Sequence, residues 1–213
     1  MAVTVRPARR DDAPFLAWAM LEAGRAHLSR GWYDIALGLP ESQRLQLLAR
    51  LALTDVRSWW HFSNFLVAED DGQPVGALCA FSSAEGYATS EAALAEAAWP
   101  MGWGREDLAA VWSRGAYIFT CSVAVDDDLW TIENVAVRPS HRGRGVTGML
   151  LDQALDKGRA AGFSQAQLSF IIGNAPAERA YAKAGFGFVQ ERRSPEFEAA
   201  VGAPGLRRFV RAL

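Results

Sequence analysis

The stretch that decides the fold is IENVAVRPSHRGRGVTG, residues 132–148, in which an apolar, β-branched run gives way to a loop with three glycines. A helix is predicted to follow over residues 145–161, because apolar residues recur there at helical spacing and Gly162 is a natural terminator. Unpaired backbone N–H groups and the positive end of the helix dipole gather at a helix N-terminus. The strand–loop–helix unit is therefore predicted to contain an anion site.

The composition of this loop suits a pyrophosphate. Glycines at 143, 145 and 148 let the backbone approach a ligand closely, and Arg142 and Arg144 add positive charge suited to phosphate oxygens. A glycine-rich turn that binds nothing is the alternative, but turn chemistry alone gives little reason for two arginines between three glycines. We therefore expect residues 142–148 to bind phosphate.

Two widespread phosphate-binding motifs are excluded. The spacing Gly143-x-Gly145-x-x-Gly148 matches the dinucleotide-binding fingerprint, which also requires an acidic residue about 20 residues later at the end of the next strand. That strand ends with the sequence LSFII, residues 168–172, and has no acid there. A Walker-type loop needs lysine directly after Gly148, where this chain has Met149. Neither a Rossmann site nor a nucleotide-hydrolysing site is expected.

Outward from the loop, the sequence pattern predicts a mixed α+β order. Strands are predicted over residues 3–7, 65–69, 74–81, 116–125, 129–137, 165–172, 186–192 and 206–212. Helices are predicted over residues 13–24, 40–53, 90–98, 105–114, 145–161 and 175–184. The turns Asp70-Asp71-Gly72-Gln73 and Asp126-Asp127-Asp128 predict two tight hairpins.

Composition bounds the class of protein. The 213 residues, 50% of them hydrophobic, predict one domain over residues 1–213, without repeat or linker. A formal charge of −2 gives no overall attraction to nucleic acid or to an anionic membrane. The charged N-terminus and the absence of a spanning apolar run predict a soluble, cytoplasmic protein. Cys79 and Cys121 lack metal-type spacing and are expected to be buried and inert, so no metal is predicted.

Residues 132–145 resemble the coenzyme A signature of the GNAT acyltransferase superfamily. Its core pattern is Gln/Arg-x-x-Gly-x-Gly/Ala, and Arg142, Gly145 and Thr147 take its three defined places, with Thr147 departing from the small residue expected. A second motif, Asn174-x-x-Ala177-x-x-x-Tyr181-x-Lys183-x-Gly185-Phe186, resembles the family's helix and turn after the fifth strand. The resemblance covers most of residues 1–15, 64–82 and 115–193. It leaves helical, Trp-rich insertions at about residues 25–60 and 83–114.

The resemblance implies an α/β/α architecture with a central mixed, mostly antiparallel twisted sheet, splayed between strands 4 and 5 so that a pantetheine arm lies in the gap. Backbone groups of the fourth strand would pair with that arm, backbone amides of the loop would hold the pyrophosphate, and Asn174 would contact the pantetheine or orient its helix. The implied acetyl-CoA-binding set is Val135, Ala136, Val137, Arg142, Gly143, Arg144, Gly145, Val146, Thr147, Gly148, Asn174, Ala177 and Tyr181.

Acyl transfer to an amine requires a neutral nucleophile and therefore a proton acceptor. Glu133 is the candidate base, since desolvation in an apolar strand raises a carboxylate's pKa; a solvent-facing or arginine-paired glutamate is the alternative. Tyr181 matches the family's general acid for the departing thiolate, with a core tyrosine as the alternative. The resemblance places the oxyanion on a fourth-strand N–H, that of Val135.

The acceptor is less constrained by the sequence. The three histidines are interpreted as structural. The tryptophans of the insertions either build an auxiliary core or wall a substrate pocket, and the second case indicates an amine on an apolar or aromatic body. These residues are Trp32, Trp59, Trp60, Trp99, Trp103 and Trp112.

The leading hypothesis is acetyl transfer from acetyl-CoA to a primary amine of a small molecule. The alternatives are a protein lysine or N-terminal acetyltransferase, a non-catalytic acyl-CoA-binding regulatory module, and a protein-interaction domain without cofactor, against which the loop argues. A homodimer through the sheet edge or the C-terminal strand stays open.

Overall fold

The computed structural model describes residues 3–122 and 129–213 of the chain. Strands within these ranges form one seven-stranded sheet: β1 (Thr4–Pro7), β2 (Phe65–Asp70), β3 (Gln73–Ser82), β4 (Trp130–Val137), β5 (Gln165–Ile171), β6 (Gly187–Arg193) and β7 (Gly205–Ala212). The α-helices described are α1 (Ala13–Arg25), α2 (Trp32–Leu37), α3 (Glu41–Leu51), α4 (Ser83–Gly86), α5 (Ser90–Ala98), α6 (Arg105–Gly115), α7 (Val146–Ala160), α8 (Ala175–Lys183) and α9 (Pro195–Val201). The predicted mixed α+β class is confirmed.

The sheet has the order β1-β2-β3-β4-β5-β7-β6 and is antiparallel throughout except between β4 and β5. This parallel pair is short, because only Trp130–Ile132 match Ala166–Leu168 in register. Beyond these residues the described parts of β4 and β5 form no further pairs. The predicted opening between the fourth and fifth strands is therefore present.

A bulge interrupts β4 where the opening begins. Cys79 of β3 lies opposite Glu133, but Ala77 lies opposite Ala136, so β4 contains one residue more than its partner over this interval. Asn134 takes up the extra residue with φ 53°, a left-handed conformation that asparagine adopts more readily than most residues. Because of the bulge, Glu133 and Ala136 both face the side of the sheet that Cys79 faces.

Two apolar cores lie on opposite faces of the sheet. One joins α1, α2, α3, α5 and α6 to β3 residues such as Cys79 and Phe81. The other joins α7 and α8 to β4 and β5 residues such as Ile132 and Leu168. A smaller cluster forms around Phe197 and Cys121, where α9 meets residues 116–121. Both cysteines are buried and unpaired, as the sequence indicated.

The strand predicted over residues 116–125 is wrong in its described part. Ala116–Cys121 form a 3-10 helix, and residues 123–128, which include the predicted Asp126-Asp127-Asp128 turn, lie outside the described residues. β4 pairs with β3 on one side and β5 on the other, which leaves no place beside it for a preceding strand. Packing of residues 116–121 against α9 prevails over their β propensity.

Three short helices were not predicted: α2, α4 and α9. The hairpin at Asp70-Asp71-Gly72-Gln73 is confirmed, with positive φ at Asp71 (51°) and Gly72 (72°), as a two-residue turn between right-twisted strands requires. Within the part of the chain described, no helix is both long and apolar enough to cross a bilayer.

Candidate functional site

The glycine-rich loop lies directly beyond β4 and leads into the first turn of α7. Gly143 and Gly145 have positive φ values of 77° and 83°, and Gly145 is the N-cap of α7. A Cβ atom added at position 143, 145 or 148 would meet no protein atom within 4 Å. The Cβ side of each of these glycines is therefore open, so a ligand can approach the backbone closely here, and the amides of a first helical turn lack intrahelical partners.

Neighbouring groups hold the loop in place and leave the Arg144 side chain largely exposed. The Arg142 Nε donates to the carbonyl of Val137 at 3.2 Å, which ties the loop to the end of β4. The Asp70 carboxylate lies 3.2 Å from His141 Nε2 and 3.8 Å from an Arg144 nitrogen. Since the Arg144 side chain is 59% exposed, its guanidinium is accessible to a ligand at the loop. The interpretation of His141 as structural agrees with this contact.

The part of β4 nearest the loop borders the opening in the sheet. Val135 has no register partner on β3 because of the bulge, while Ala136 and Val137 pair with Ala77 and Gly76. None of these three β4 residues pairs with a residue of β5. This edge of β4 can thus accept an extended ligand arm by strand-like hydrogen bonding.

Glu133 lies at the start of the opening and is half-buried. Its Oε1 accepts a hydrogen bond from the Tyr87 hydroxyl. Burial raises the pKa of Glu133 to about 7, although the hydrogen bond from Tyr87 acts in the opposite direction. Within the described residues Glu133 forms no ion pair with an arginine, so the alternative of a solvated or arginine-paired glutamate does not describe this geometry.

Aromatic residues from both insertions pack around Tyr87, whose hydroxyl contacts this carboxylate. The Tyr87 ring contacts Phe81 edge-on at 5.2 Å and Trp59 at 5.8 Å between centroids. Trp59 lies 4.6 Å from Trp60 between ring centroids, with the two rings tilted by 32°, and the Trp60 indole N–H donates to the Tyr33 hydroxyl at 2.8 Å. Trp60 is a core residue, whereas Trp59 is half-buried. The insertions thus provide both core packing and an aromatic lining beside Glu133.

The other tryptophans of the insertions lie apart from this lining. Trp32 packs near Trp112 at 6.2 Å and donates its indole N–H to the Gly115 carbonyl at 3.1 Å, so it belongs to the core. Trp103 is half-buried against the same core, and Trp99 is 76% exposed. For most of them, core packing was the correct alternative.

Tyr181 approaches the opening from the opposite side of the sheet. It is 7% exposed on α8, and its ring packs against Phe170 of β5 at 5.5 Å between centroids. Phe170 belongs to the part of β5 that no longer pairs with β4. Burial raises the pKa of Tyr181, so its hydroxyl stays protonated over the physiological range.

Asn174 caps the helix that carries Tyr181. Its side-chain oxygen accepts a hydrogen bond from the Ala177 backbone N–H at 3.3 Å, in the N-cap geometry that asparagine favours. Of the two roles anticipated for Asn174, the structure shows the orientation of α8. Asn174, Ala177 and Tyr181 follow one another along one face of this helix.

Three residues of the site were not identified from the sequence: Tyr87, Tyr33 and Asn134. Tyr87 and Tyr33 lie in the insertions, where no motif marks them. Asn134 carried a detectable signal, because asparagine is depleted in strands and adopts a left-handed conformation more readily than most residues. Its side-chain nitrogen contacts the Cys79 sulfur at 3.5 Å, which places it on the same face as Glu133.

Comparison with known proteins gives one family. The sequence model of the Acetyltransferase (GNAT) family matches residues 31–186, which is more than half of the chain. A segment of 58 residues is 41% identical to the streptothricin acetyltransferase of Streptomyces lavendulae. This segment spans 27% of the present chain and 31% of that protein.

Solved structures share the fold over nearly the whole chain. An N-acetyltransferase from Staphylococcus aureus Mu50 superposes with a TM-score of 0.67 at 19% identity, covering 98% of this chain and 100% of that chain. The Salmonella typhimurium protein yncA, solved with its cofactor acetyl-CoA, superposes with a TM-score of 0.58 at 16% identity, covering 100% and 95%. Identities at this level establish a common fold.

Proposed function

Because the chain belongs to the GNAT acetyltransferase family, we propose that it transfers the acetyl group of acetyl-CoA to a primary amine of a small molecule by direct attack in a ternary complex. The observation that carries the proposal is the position of Glu133. This carboxylate, with a pKa raised to about 7, lies on the strand that borders the opening and leads into the anion-binding loop. A proton acceptor and a phosphate site are thus connected by one strand.

The residues present fit acetyl-CoA. Backbone amides from Arg144 to Gly148 hold the pyrophosphate, with charge supplied by Arg142 and Arg144 and with open space in front of Gly143 and Gly145. The edge of β4 that faces the opening, at Val135 and Val137, would bind the pantetheine arm. An arm bound there would extend along the opening toward Glu133, and its thioester would then lie near the carboxylate.

The chemistry needs a base, an oxyanion donor and an acid. Glu133 accepts one proton from the acceptor ammonium, which frees the nitrogen lone pair to attack the thioester carbonyl carbon. The Val135 N–H donates to the oxyanion that forms. As the carbon–sulfur bond breaks, Tyr181 donates its proton to the thiolate sulfur, and the second proton lost from nitrogen restores the tyrosine. One proton is released per turnover.

The surroundings of Glu133 favour a cationic amine on an apolar or aromatic body. Tyr87 contacts this carboxylate and packs against Trp59, both rings are half-buried, and an ammonium is attracted to a carboxylate and to an aromatic ring. Tyr87 and Trp59 come from the two insertions, and we take their packing near the carboxylate as favouring a small-molecule acceptor over a protein lysine or N-terminus.

Calorimetric titration with acetyl-CoA tests the cofactor site. We expect wild-type protein to bind and Gly145→Glu to lose binding, because the new carboxylate fills the loop and repels phosphate. Gly162→Glu is the matched control, since Gly162 ends the same helix with a similar positive φ of 87° and open space around it. Folded wild-type protein that binds no acetyl-CoA would refute the proposal.

A transferase assay follows for protein that binds. Thiol release is measured from acetyl-CoA in the presence of small primary amines with alkyl and aryl bodies. Acetylation of at least one of them, abolished in Gly145→Glu and retained in Gly162→Glu, is the expected result. Binding without acetylation of any amine would instead indicate a non-catalytic acyl-CoA-binding protein.

A further inference from the structure

The residue that contacts the Glu133 carboxylate comes from an insertion. Tyr87 lies in the short connection between α4 and α5, and its hydroxyl donates to Oε1 of Glu133 from 46 residues away in the chain. The opening in the sheet by itself therefore does not provide the complete environment of the carboxylate. The segment of residues 83–98 contributes a hydrogen-bond donor to it.

The Tyr87 ring is held in place on several sides. Phe81 contacts it edge-on and Trp59 packs beside it, with centroids 5.2 and 5.8 Å away. The flanking backbone is tied to the segment before β2. The Trp59 N–H donates to the Gly86 carbonyl at 3.1 Å, and the Thr89 hydroxyl donates to the Arg57 carbonyl at 2.8 Å.

Side-chain contacts complete this fixation. The Trp59 indole N–H donates to the Ser90 hydroxyl at 3.1 Å. Gly86 lies so close to the Phe81 ring that an added Cβ would collide with it, so this turn requires glycine. The Tyr87 hydroxyl is therefore presented to Glu133 by a preorganised turn, without dependence on a mobile side chain.

The other titratable groups that face Glu133 carry no charge near neutral pH. They are Tyr33 on α2 and Cys79 on β3, and burial raises the pKa of both groups. Burial likewise raises the pKa of Tyr87. Within the described residues no lysine, arginine or histidine pairs with the carboxylate. The Tyr87 hydroxyl thus donates a hydrogen bond to Glu133, and such a bond stabilises the ionised carboxylate.

We propose that Tyr87 is a positioning residue for acetyl transfer, holding the Glu133 carboxylate oriented and ionised so that it can accept the proton of the amine. The catalytic part of this proposal rests on the proposed function. A hydrogen bond donated to a carboxylate stabilises the charged form and lowers its pKa, whereas burial raises it. Tyr87 therefore opposes the effect of burial and keeps Glu133 in the range useful to a base at neutral pH.

Direct titration of Glu133 tests the structural half of the proposal without any need for activity. Protein labelled with ¹³C at the glutamate carboxyl carbon is titrated by NMR, and the Glu133 signal is identified by its loss in Glu133→Gln. We expect Tyr87→Phe, which keeps the ring contacts, to move the titration of Glu133 upward by about 1 pH unit or more, the size expected for a charge-assisted hydrogen bond.

Tyr117→Phe is the matched control. The Tyr117 side chain packs near Phe197, and its buried hydroxyl has no hydrogen-bond partner among the described residues. This variant removes a hydroxyl of the same kind and should leave the Glu133 titration unchanged. An unchanged titration in Tyr87→Phe would overturn the proposal.

Kinetics test the catalytic half. In Tyr87→Phe we expect the acidic limb of the kcat/KM pH profile to follow the NMR shift, with kcat/KM lower by about fivefold or more at pH 7 and recovery as pH rises. Combined with Glu133→Gln, Tyr87→Phe should cause no further loss, because its effect acts through that carboxylate. Additive losses in the double variant would contradict a positioning role.

The two proposals fail in different ways. If wild-type protein acetylates no amine, the proposed function fails, while the NMR titration still decides whether Tyr87 controls the ionisation of Glu133. If wild-type protein acetylates an amine and Tyr87→Phe retains the wild-type pH profile, the function stands and the role assigned to Tyr87 is refuted.

Discussion

Ile132 of β4 lies opposite Leu168 of β5, and this is the last register pair between the two strands in the described residues. The next residue on β4 is Glu133, and two residues further along β5 is Phe170, against which Tyr181 packs. The point where the strands part is therefore bordered by the candidate base from one side and the candidate acid from the other. In the proposed function, the thioester would lie between these two groups.

Replacement of Glu133 by glutamine should remove the base while preserving its shape and its hydrogen bond from Tyr87. We expect kcat to fall by about 10²–10⁴, the usual contribution of general base catalysis. The acidic limb of the wild-type kcat/KM profile, expected near the Glu133 pKa of about 7, should be absent in the variant. Steady-state kinetics from pH 5.5 to 9.5 measure both effects.

The insertion that carries Tyr87 offers a control for this prediction. Glu85→Gln alters an exposed glutamate of α4 and should leave the profile unchanged. Persistence of the limb near pH 7 in Glu133→Gln would assign the ionisation to another group and remove Glu133 from the mechanism.

Replacement of Tyr181 by phenylalanine should slow departure of the thiolate. The ring packing against Phe170 is kept, so we expect the affinity for acetyl-CoA to stay within about twofold and kcat to fall by about 10²–10³. Calorimetry and steady-state kinetics on the same preparation separate binding from chemistry. An equal loss of affinity and kcat would instead identify Tyr181 as a cofactor contact or a core residue.

The sequence predicted the fold where local patterning and tertiary structure agree. The run of residues 132–148 gave the strand, the loop and the helix within a residue or two of β4 and α7. The Asp71-Gly72 pair predicted the β2–β3 hairpin, because a two-residue turn needs positive φ values and aspartate and glycine adopt them readily. Glu133 and Tyr181 were identified as candidates through their places in these elements and motifs.

Sequence reasoning failed where distant segments decide the conformation. Residues 116–121 have a strand-like composition, but they pack against α9, a helix that was itself not predicted. Tyr87 contacts Glu133 across 46 residues, and no local pattern encodes such a pairing. The insertions lack motifs because their contribution to the site depends on where their aromatic residues meet in space.

The raised pKa of Glu133 should also make stability depend on pH. The pKa of Glu133 is raised from 4.5 in an unfolded chain to about 7 in the fold, so the folded state binds the proton more tightly. Its contribution to stability is complete below about pH 4.5 and is lost as pH rises through 7. Glu133→Gln should therefore be more stable than wild type above pH 7, by about 1–3 kcal/mol, and similar at pH 4.5.

Urea denaturation of both proteins at pH 4.5 and pH 8 measures this difference. Equal stability of wild type and variant at pH 8 would show that the carboxylate pays no desolvation cost in the fold. The same result would weaken its assignment as a base with a raised pKa, whatever the kinetics of the variant.

Two glycines of α7 should respond in opposite directions to alanine. A Cβ at Gly158 would lie 2.7 Å from Cδ1 of Trp130 and 2.9 Å from Leu213 Cδ1, whereas a Cβ at Gly148 meets nothing within 4 Å. Trp130 is 6% exposed and donates its indole N–H to the Ala154 carbonyl at 2.8 Å, so it cannot move aside freely. Gly158→Ala should destabilise the protein by about 1–3 kcal/mol, since overpacking prevails over helix propensity. Gly148→Ala, free of any collision, should stabilise it by up to about 1 kcal/mol. Thermal unfolding of the two variants beside wild type measures both effects, and a stabilised Gly158→Ala would show that α7 does not pack against Trp130 as described.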